Sequence, residues 1–261
     1  MFAFLKPDKP ARTIIALWPI ALASGEVIEI RCVHDARARR LRLIVTEKGV
    51  RLTIPARCSD RLAKQFLVEH HDWLESHWQK RPHAEITSPL ELYQATDILL
   101  RGMRLPVQWN EAKFAQVSLH EENIIISLPS KAGLPQAKRA LKEFYLQEAR
   151  KDIGTWLPKY LPAFPSAPLA IKVRALSSLW GSLSPSDGLL MDLSLVLGKA
   201  SAFEYVLVHE LCHLVHRNHS RSFWREVEKH FPLWRDERRY LHSDGLMLKA
   251  ELRGLVGTEK T

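Results

Sequence analysis

Phe203-Glu204-Tyr205-Val206-Leu207-Val208-His209-Glu210-Leu211-Cys212-His213 is the stretch on which the reading of this chain turns. The residues leading into His209 contain no Gly or Pro and are bulky and mostly apolar, as a buried helix requires. Residues i and i+4 of a helix lie one above the other on one face. His209 and His213 therefore share a face, and two imidazoles so placed can hold one Zn2+. Glu210 projects beside them, close enough to take a proton from a water on that ion. Cys212 is one residue off this face and reads as a small apolar packing group.

Such a site needs a third protein ligand. His216 and His219 are the nearest candidates. A helix running from about Ala202 to Asn218 carries His216 along the face of His213. A third imidazole there cannot close a tetrahedron around an ion already held between the first two. His219 fits better. Asn218 suits a left-handed residue that ends a helix and reverses the chain. Ser220 can then cap a further helix through His230, with Phe223 and Trp224 packing against His219. The motif is short and the chain has 12 His, so ordinary polar residues on an amphipathic helix are the alternative reading.

Outward from the motif, the pattern is that of an α+β protein: a β-rich N-terminal region and a zincin-like C-terminal half built around the HExxH metal-binding helix. Residues 1–25 read as a tail and a first strand, 26–130 as the β-rich region and 131–261 as the metal-binding catalytic region, with a soft boundary near 131. In the first stretch Ile28 and Ile30, Leu41 and Leu43, and Leu52 and Ile54 alternate with polar residues, as half-buried strands do. Glu47-Lys48-Gly49 supplies a turn. Ser59 or Asp60 can cap a helix to about Lys80, with Leu62, Phe66, Trp73 and Trp78 on or near one face and Pro82 as its stop. Further strands are expected around Ile98–Leu100, Leu105–Trp109, Val117–Leu119 and Ile124–Leu128. A long helix follows from about Pro135 to Tyr160, with Leu141, Tyr145 and Ile153 inward. Strands near 169–175 and 189–193 precede the metal helix, and a last helix covers about Trp234 to Arg253. No internal repeat is evident.

A chain of 261 residues with 46% apolar and 26% charged residues supports a sizeable soluble core. Its 38 basic and 29 acidic residues leave a net charge of +9, which favours anionic partners. Arg37, Arg39, Arg40 and Arg42 cluster on the first hairpin, either as a phosphate- or nucleic-acid-facing patch or as a solvated strand face. Cys32, Cys58 and Cys212 are odd in number and widely spaced, which points to a reducing compartment, and cytoplasmic localisation is expected. Thr13–Ala23 superficially resembles a signal peptide, but Pro19 interrupts it and a strand is the preferred reading. No run reaches the roughly 20 apolar residues of a spanning helix, so no membrane partner is expected.

The stretches Arg174–Leu183, Gly188–Leu193, Tyr205–Leu214 and Asn218–Trp224 together resemble the YgjP-like metal-dependent hydrolases, relatives of the SprT and WLM zinc metallopeptidases. The likeness extends over about residues 26 to 242. It implies that His209, His213 and His219 bind Zn2+, that Glu210 is catalytic, and that Trp180, Gly181, Ser182 and Asp192 flank the cleft and bind substrate. Two positions depart from the family pattern: Leu183 stands where it usually has Cys, and Asp192 where it usually has Asn.

The leading expectation is a zinc-dependent hydrolase whose activated water attacks a peptide bond. One alternative is a nucleotide pyrophosphohydrolase acting on UTP or a similar nucleoside triphosphate, an activity proposed for the family and consistent with the charge. A second is a nucleic-acid-binding protein with a structural zinc, against which Glu210 weighs. No Gly-rich phosphate loop and no Ser nucleophile elbow is present.

Overall fold

The computed structural model of the protein describes residues 13–46, 49–79 and 90–257, with backbone alone for residues 13–15. The expected N-terminal tail, the Glu47-Lys48 turn and the Pro82 stop lie outside these residues. The chain divides into two compact units, Met1–Arg81 and Pro82–Thr261, and is α+β throughout. Among the described residues no helix is long and apolar enough to cross a membrane.

The first unit contains β1 (Thr13–Ala21), β2 (Val27–Asp35), β3 (Arg42–Thr46), β4 (Gly49–Pro55), α1 (Asp60–Glu69) and α2 (His71–Gln79). Its sheet runs β1-β2-β4-β3, with β2 and β4 parallel and the outer pairs antiparallel. The period-2 alternation places Ile28, Ile30 and Cys32 of β2 and Val50, Leu52 and Ile54 of β4 in the core, together with Ala63, Leu67, Leu74 and Trp78. Because β4 lies between β2 and β3, Arg37, Arg39 and Arg40 sit on a crossover connection instead of a hairpin, and Arg42 opens β3.

The single helix expected after Ser59 is in fact two. Ser59 does cap α1, its side chain accepting the Leu62 N–H. The break comes at His70, whose backbone N–H and ring Nδ1 both reach the Phe66 carbonyl. A side chain that competes for a helical carbonyl favours termination. Leu62 is 55% and Trp73 39% exposed, so these two are not core residues.

The second unit opens with β5 (Asp97–Leu100), β6 (Met103–Glu111), β7 (Gln116–His120), β8 (Asn123–Leu128) and the long α3 (Leu134–Tyr160). Its first sheet runs β5-β6-β8-β7, with β6 and β8 parallel. This repeats the strand order and orientations of the first unit, including a proline where the fourth strand ends (Pro55, Pro129) and a helix soon after. The strands and connections differ in length between the copies (22–26 joins β1 to β2, 101–102 joins β5 to β6), so no fixed period in the sequence marks the repeat.

Ile124, Ile126 and Leu128 of β8 share one core with Leu141, Tyr145 and Ile153 of α3 and with Phe203, Leu207 and Leu211. Residue 131 therefore falls inside a unit whose sheet and helices are packed together. The Tyr145 hydroxyl donates to the Leu99 carbonyl at 3.0 Å, tying α3 to β5.

A second, three-stranded sheet follows, made of β9 (Ala170–Arg174), β10 (Gly181–Leu183) and β11 (Gly188–Asp192), in the order β10-β11-β9. A 3-10 turn, Leu193–Leu197, leads into α4 (Ala200–Cys212), α5 (Arg221–His230) and α6 (Trp234–Val256). α4 is buried on nearly every side, as its apolar run demands.

Candidate metal centre

α4 ends at Cys212, earlier than the expected Asn218, and His213 is its C-cap. The His213 N–H reaches the Glu210 carbonyl, Leu214 the Leu211 carbonyl and Val215 the Cys212 carbonyl, so the last turn tightens to i→i+3 bonds. This changes the part played by His216. It is not stacked along a continuing helix; its carbonyl accepts the His213 Nδ1 at 2.8 Å. A carbonyl can only accept, so Nδ1 carries the proton and the Nε2 lone pair of His213 is free for a metal.

Ser220 caps α5 by accepting the Phe223 N–H, and the turn before it brings His219 back over α4. His209 Nε2 and His219 Nε2 lie 3.1 Å apart. Ligand atoms of His209, His213 and His219 all fall within 4.8 Å of one another. Phe223 is fully buried and forms the floor, with ring centroids 4.8 Å from His209, 4.5 Å from His213 and 4.8 Å from His219.

These residues fit a divalent cation. Two nitrogens on one tetrahedral zinc, each at about 2.0–2.1 Å, lie about 3.3 Å apart, close to the 3.1 Å between His209 and His219. Burial, then the neighbouring His213 and His219, depress His209 to about 3, so its ring is neutral and its lone pair available. Burial also lowers His213. Cys212 is fully buried and burial pushes its thiol up to about 12, in keeping with a packing role.

Glu210 is 6% exposed. Burial pushes its carboxyl up to about 7, against the pull of a hydrogen bond from the Leu183 backbone. The carboxylate rests on Gly181, where a Cβ would lie 2.8 Å from Cγ and 2.9 Å from Oε1 of Glu210. Only glycine leaves room for it there.

A cleft of about 830 Å³ opens over the cluster, lined by His209, Glu210, His213 and His219 together with Trp180, Gly181 and Ser182. Tyr205 and Trp224, read from the sequence as packing residues, also line it, and Arg217, Arg238, Leu241 and His242 complete much of its wall and escaped the sequence reading. The i, i+4 spacing of Arg238 and His242 on an amphipathic helix was the available signal.

Asp192, expected as a substrate contact, does not line the cleft. It is fully buried, accepts the N–H groups of Leu176 and Ser194 and the Ser194 hydroxyl, and pairs with Lys249. Its oxygens are consumed by these partners.

No curated protein matches the chain at a significant level. Among solved structures, the metallopeptidase zymogen abylysin of Pyrococcus abyssi is 27% identical, covering 38% of this chain and 91% of that one, with a TM-score of 0.28. The family described as YgjP-like, metallopeptidase domain, matches residues 39–244, which is most of the chain and includes every member of the three-histidine cluster. On that match the chain belongs to the YgjP-like metallopeptidase domain family and is a hydrolase of the metallopeptidase type.

Proposed function

We propose that this chain hydrolyses peptide bonds, with His209, His213 and His219 as the ligands of a zinc ion and Glu210 as general base and acid. The observation that carries the reading is the convergence of three imidazoles beside a single buried carboxylate at the floor of one cleft. When bound, the ion supplies Lewis acidity, which polarises a carbonyl and acidifies a water. Glu210 is the one carboxylate among the described lining residues, and it would take a proton from the attacking water and hand it to the leaving amine. The Leu183 N–H and the surface of Gly181 hold it in line for both transfers.

β10 is placed to align an extended chain. It is the outer strand of its sheet. The Asp192 N–H donates to the Trp180 carbonyl and the Ser184 N–H to the Gly188 carbonyl, so residues 180, 182 and 184 turn their backbone groups toward β11. In an antiparallel ladder the intervening residues turn theirs outward. Leu183 spends its N–H on Glu210, and Gly181 offers its own to a substrate strand.

The test is cleavage of an unfolded protein and release of pyrophosphate from UTP by the zinc-loaded chain, each with and without chelator. Chelator-sensitive peptide products support the proposal. Pyrophosphate release with no peptide product overturns it in favour of nucleotide hydrolysis.

A further inference from the structure

We infer that Arg238 captures a carboxylate of the substrate beside the histidine cluster, so that the cleft selects peptides bearing an acidic side chain or a free C-terminus near the scissile bond. The inference rests on the peptide-hydrolase reading for the kind of ligand, and on the structure for the capture itself.

α6 presents Arg238, Leu241 and His242 to the cleft on successive turns of one face. Its arginines differ in their commitments. Arg235 pairs with Glu228 at 2.6 Å and Arg239 with Asp236 at 3.3 Å. Across the cleft, Arg217 is held by Asp187 and the Ser184 carbonyl. Arg238 faces the cleft and, among the described residues, makes no ion pair with a carboxylate; its guanidinium lies 5.2 Å from the Trp224 ring instead.

That stacking fixes the cation where it can act. Trp224 is sandwiched into an aromatic row, 4.4 Å from Trp234 and 5.8 Å from His219. A guanidinium on such a rigid platform keeps its edge N–H groups free and loses less side-chain freedom when a ligand arrives. The fork of N–H donors matches a carboxylate in two parallel hydrogen bonds. Among the described residues the one lining carboxylate, Glu210, is buried against Gly181. Arg238 is solvent-exposed, so its fork stands open to a carboxylate carried in by the substrate.

Binding tests this without relying on turnover. The zinc-loaded Glu210→Gln chain is titrated with three randomised hexapeptide pools, followed by tryptophan fluorescence. One pool is amidated and holds a single Glu, one is amidated with Gln in its place, and one is the Gln pool with a free C-terminal carboxylate. At least one carboxylate pool should bind about tenfold more tightly than the amidated Gln pool, and the pool that does so identifies the source of the carboxylate. Arg238→Met in the same background should erase that preference while leaving the amidated Gln pool and zinc content unchanged. Equal binding of all three pools, no binding of any, or a preference that survives Arg238→Met overturns the inference. A preference that depends on Arg238, in a wild-type chain that cleaves no peptide, upholds the capture and sinks the hydrolase reading alone.

Discussion

Lys249 on α6 pairs with the carboxylate of Asp192 at the end of β11, and both side chains are buried. The Lys249 Nζ also donates to the Leu176 and Leu179 carbonyls, each at 3.0 Å, and lies 4.1 Å from the Trp180 ring. Asp192 accepts the Leu176 N–H at 3.1 Å. Together they tie the segment before β10 to α6, and so set where Trp180 and Gly181 stand relative to Glu210.

A buried pair is costly to break from one side, because the remaining charge is left in a dry interior. Lys249→Met should therefore destabilise the chain by about 3–5 kcal/mol. Adding Asp192→Asn, which removes the stranded charge and keeps an oxygen for the Leu176 and Ser194 N–H groups, should recover part of that loss. Urea unfolding of the two singles and the double measures the coupling. Additive losses would show that the two charges do not depend on each other.

Gly181→Ala tests the seat of Glu210. A Cβ at 2.8–2.9 Å from the carboxylate must push it aside, while the histidines are untouched. Displacement of a catalytic group by about 1 Å costs about 10²-fold in rate. The expected outcome is that loss in kcat with zinc stoichiometry unchanged. A fully active variant would separate Glu210's position from its function.

Much of this site was legible because it is local. Two histidines one turn apart, a capping Ser220 and an Asn218 before it are signals that act within a few residues, and they locate the cluster. The strand alternation of Ile28 and Ile30 or Leu52 and Ile54 is local in the same sense. What was hidden depends on partners distant in sequence. The parallel pairing of β2 with β4, and of β6 with β8, has no short-range signature. Asp192 looked like a cleft residue because the lysine that consumes it lies on α6. The early end of α4 follows from His213 finding a carbonyl in the next turn.

Arg101 holds a second buried charge cluster, bonding Glu148 at 2.9 Å and Asp152 at 2.7 Å. Burial works to raise Glu148, yet hydrogen bonds from Lys151 and Arg101 keep it below the ordinary range; burial leaves Asp152 above its ordinary value despite Arg101. Arg101→Met strands Asp152 and leaves Glu148 with Lys151 alone, and should cost about 3–5 kcal/mol at pH 7. In the variant Asp152, already held above its ordinary value by burial, rises further, so acidification relieves the strain by protonating it. The wild type moves the other way at Glu148, losing its contribution as pH falls through a depressed pKa. The gap in urea midpoint between the two proteins should thus narrow from pH 7 to pH 5. A gap that stays constant would mean the loss is one of packing.

Zinc should stabilise the folded chain, because the three imidazoles converge only in the native fold. At a free zinc concentration 100 times the Kd, mass action adds about 2.7 kcal/mol. His219 is the informative ligand to remove. It belongs to the turn between α4 and α5, so His219→Ala leaves His209 and His213 on their helix while opening the cluster. The wild-type melting temperature should rise on adding zinc and fall with chelator, and both responses should shrink sharply in His219→Ala. The same comparison with His216→Ala should leave the zinc response intact, because the contact with His213 is made by the His216 backbone carbonyl and survives loss of the ring. A zinc response lost in His216→Ala and kept in His219→Ala would exchange their roles and put the third ligand on the wrong residue.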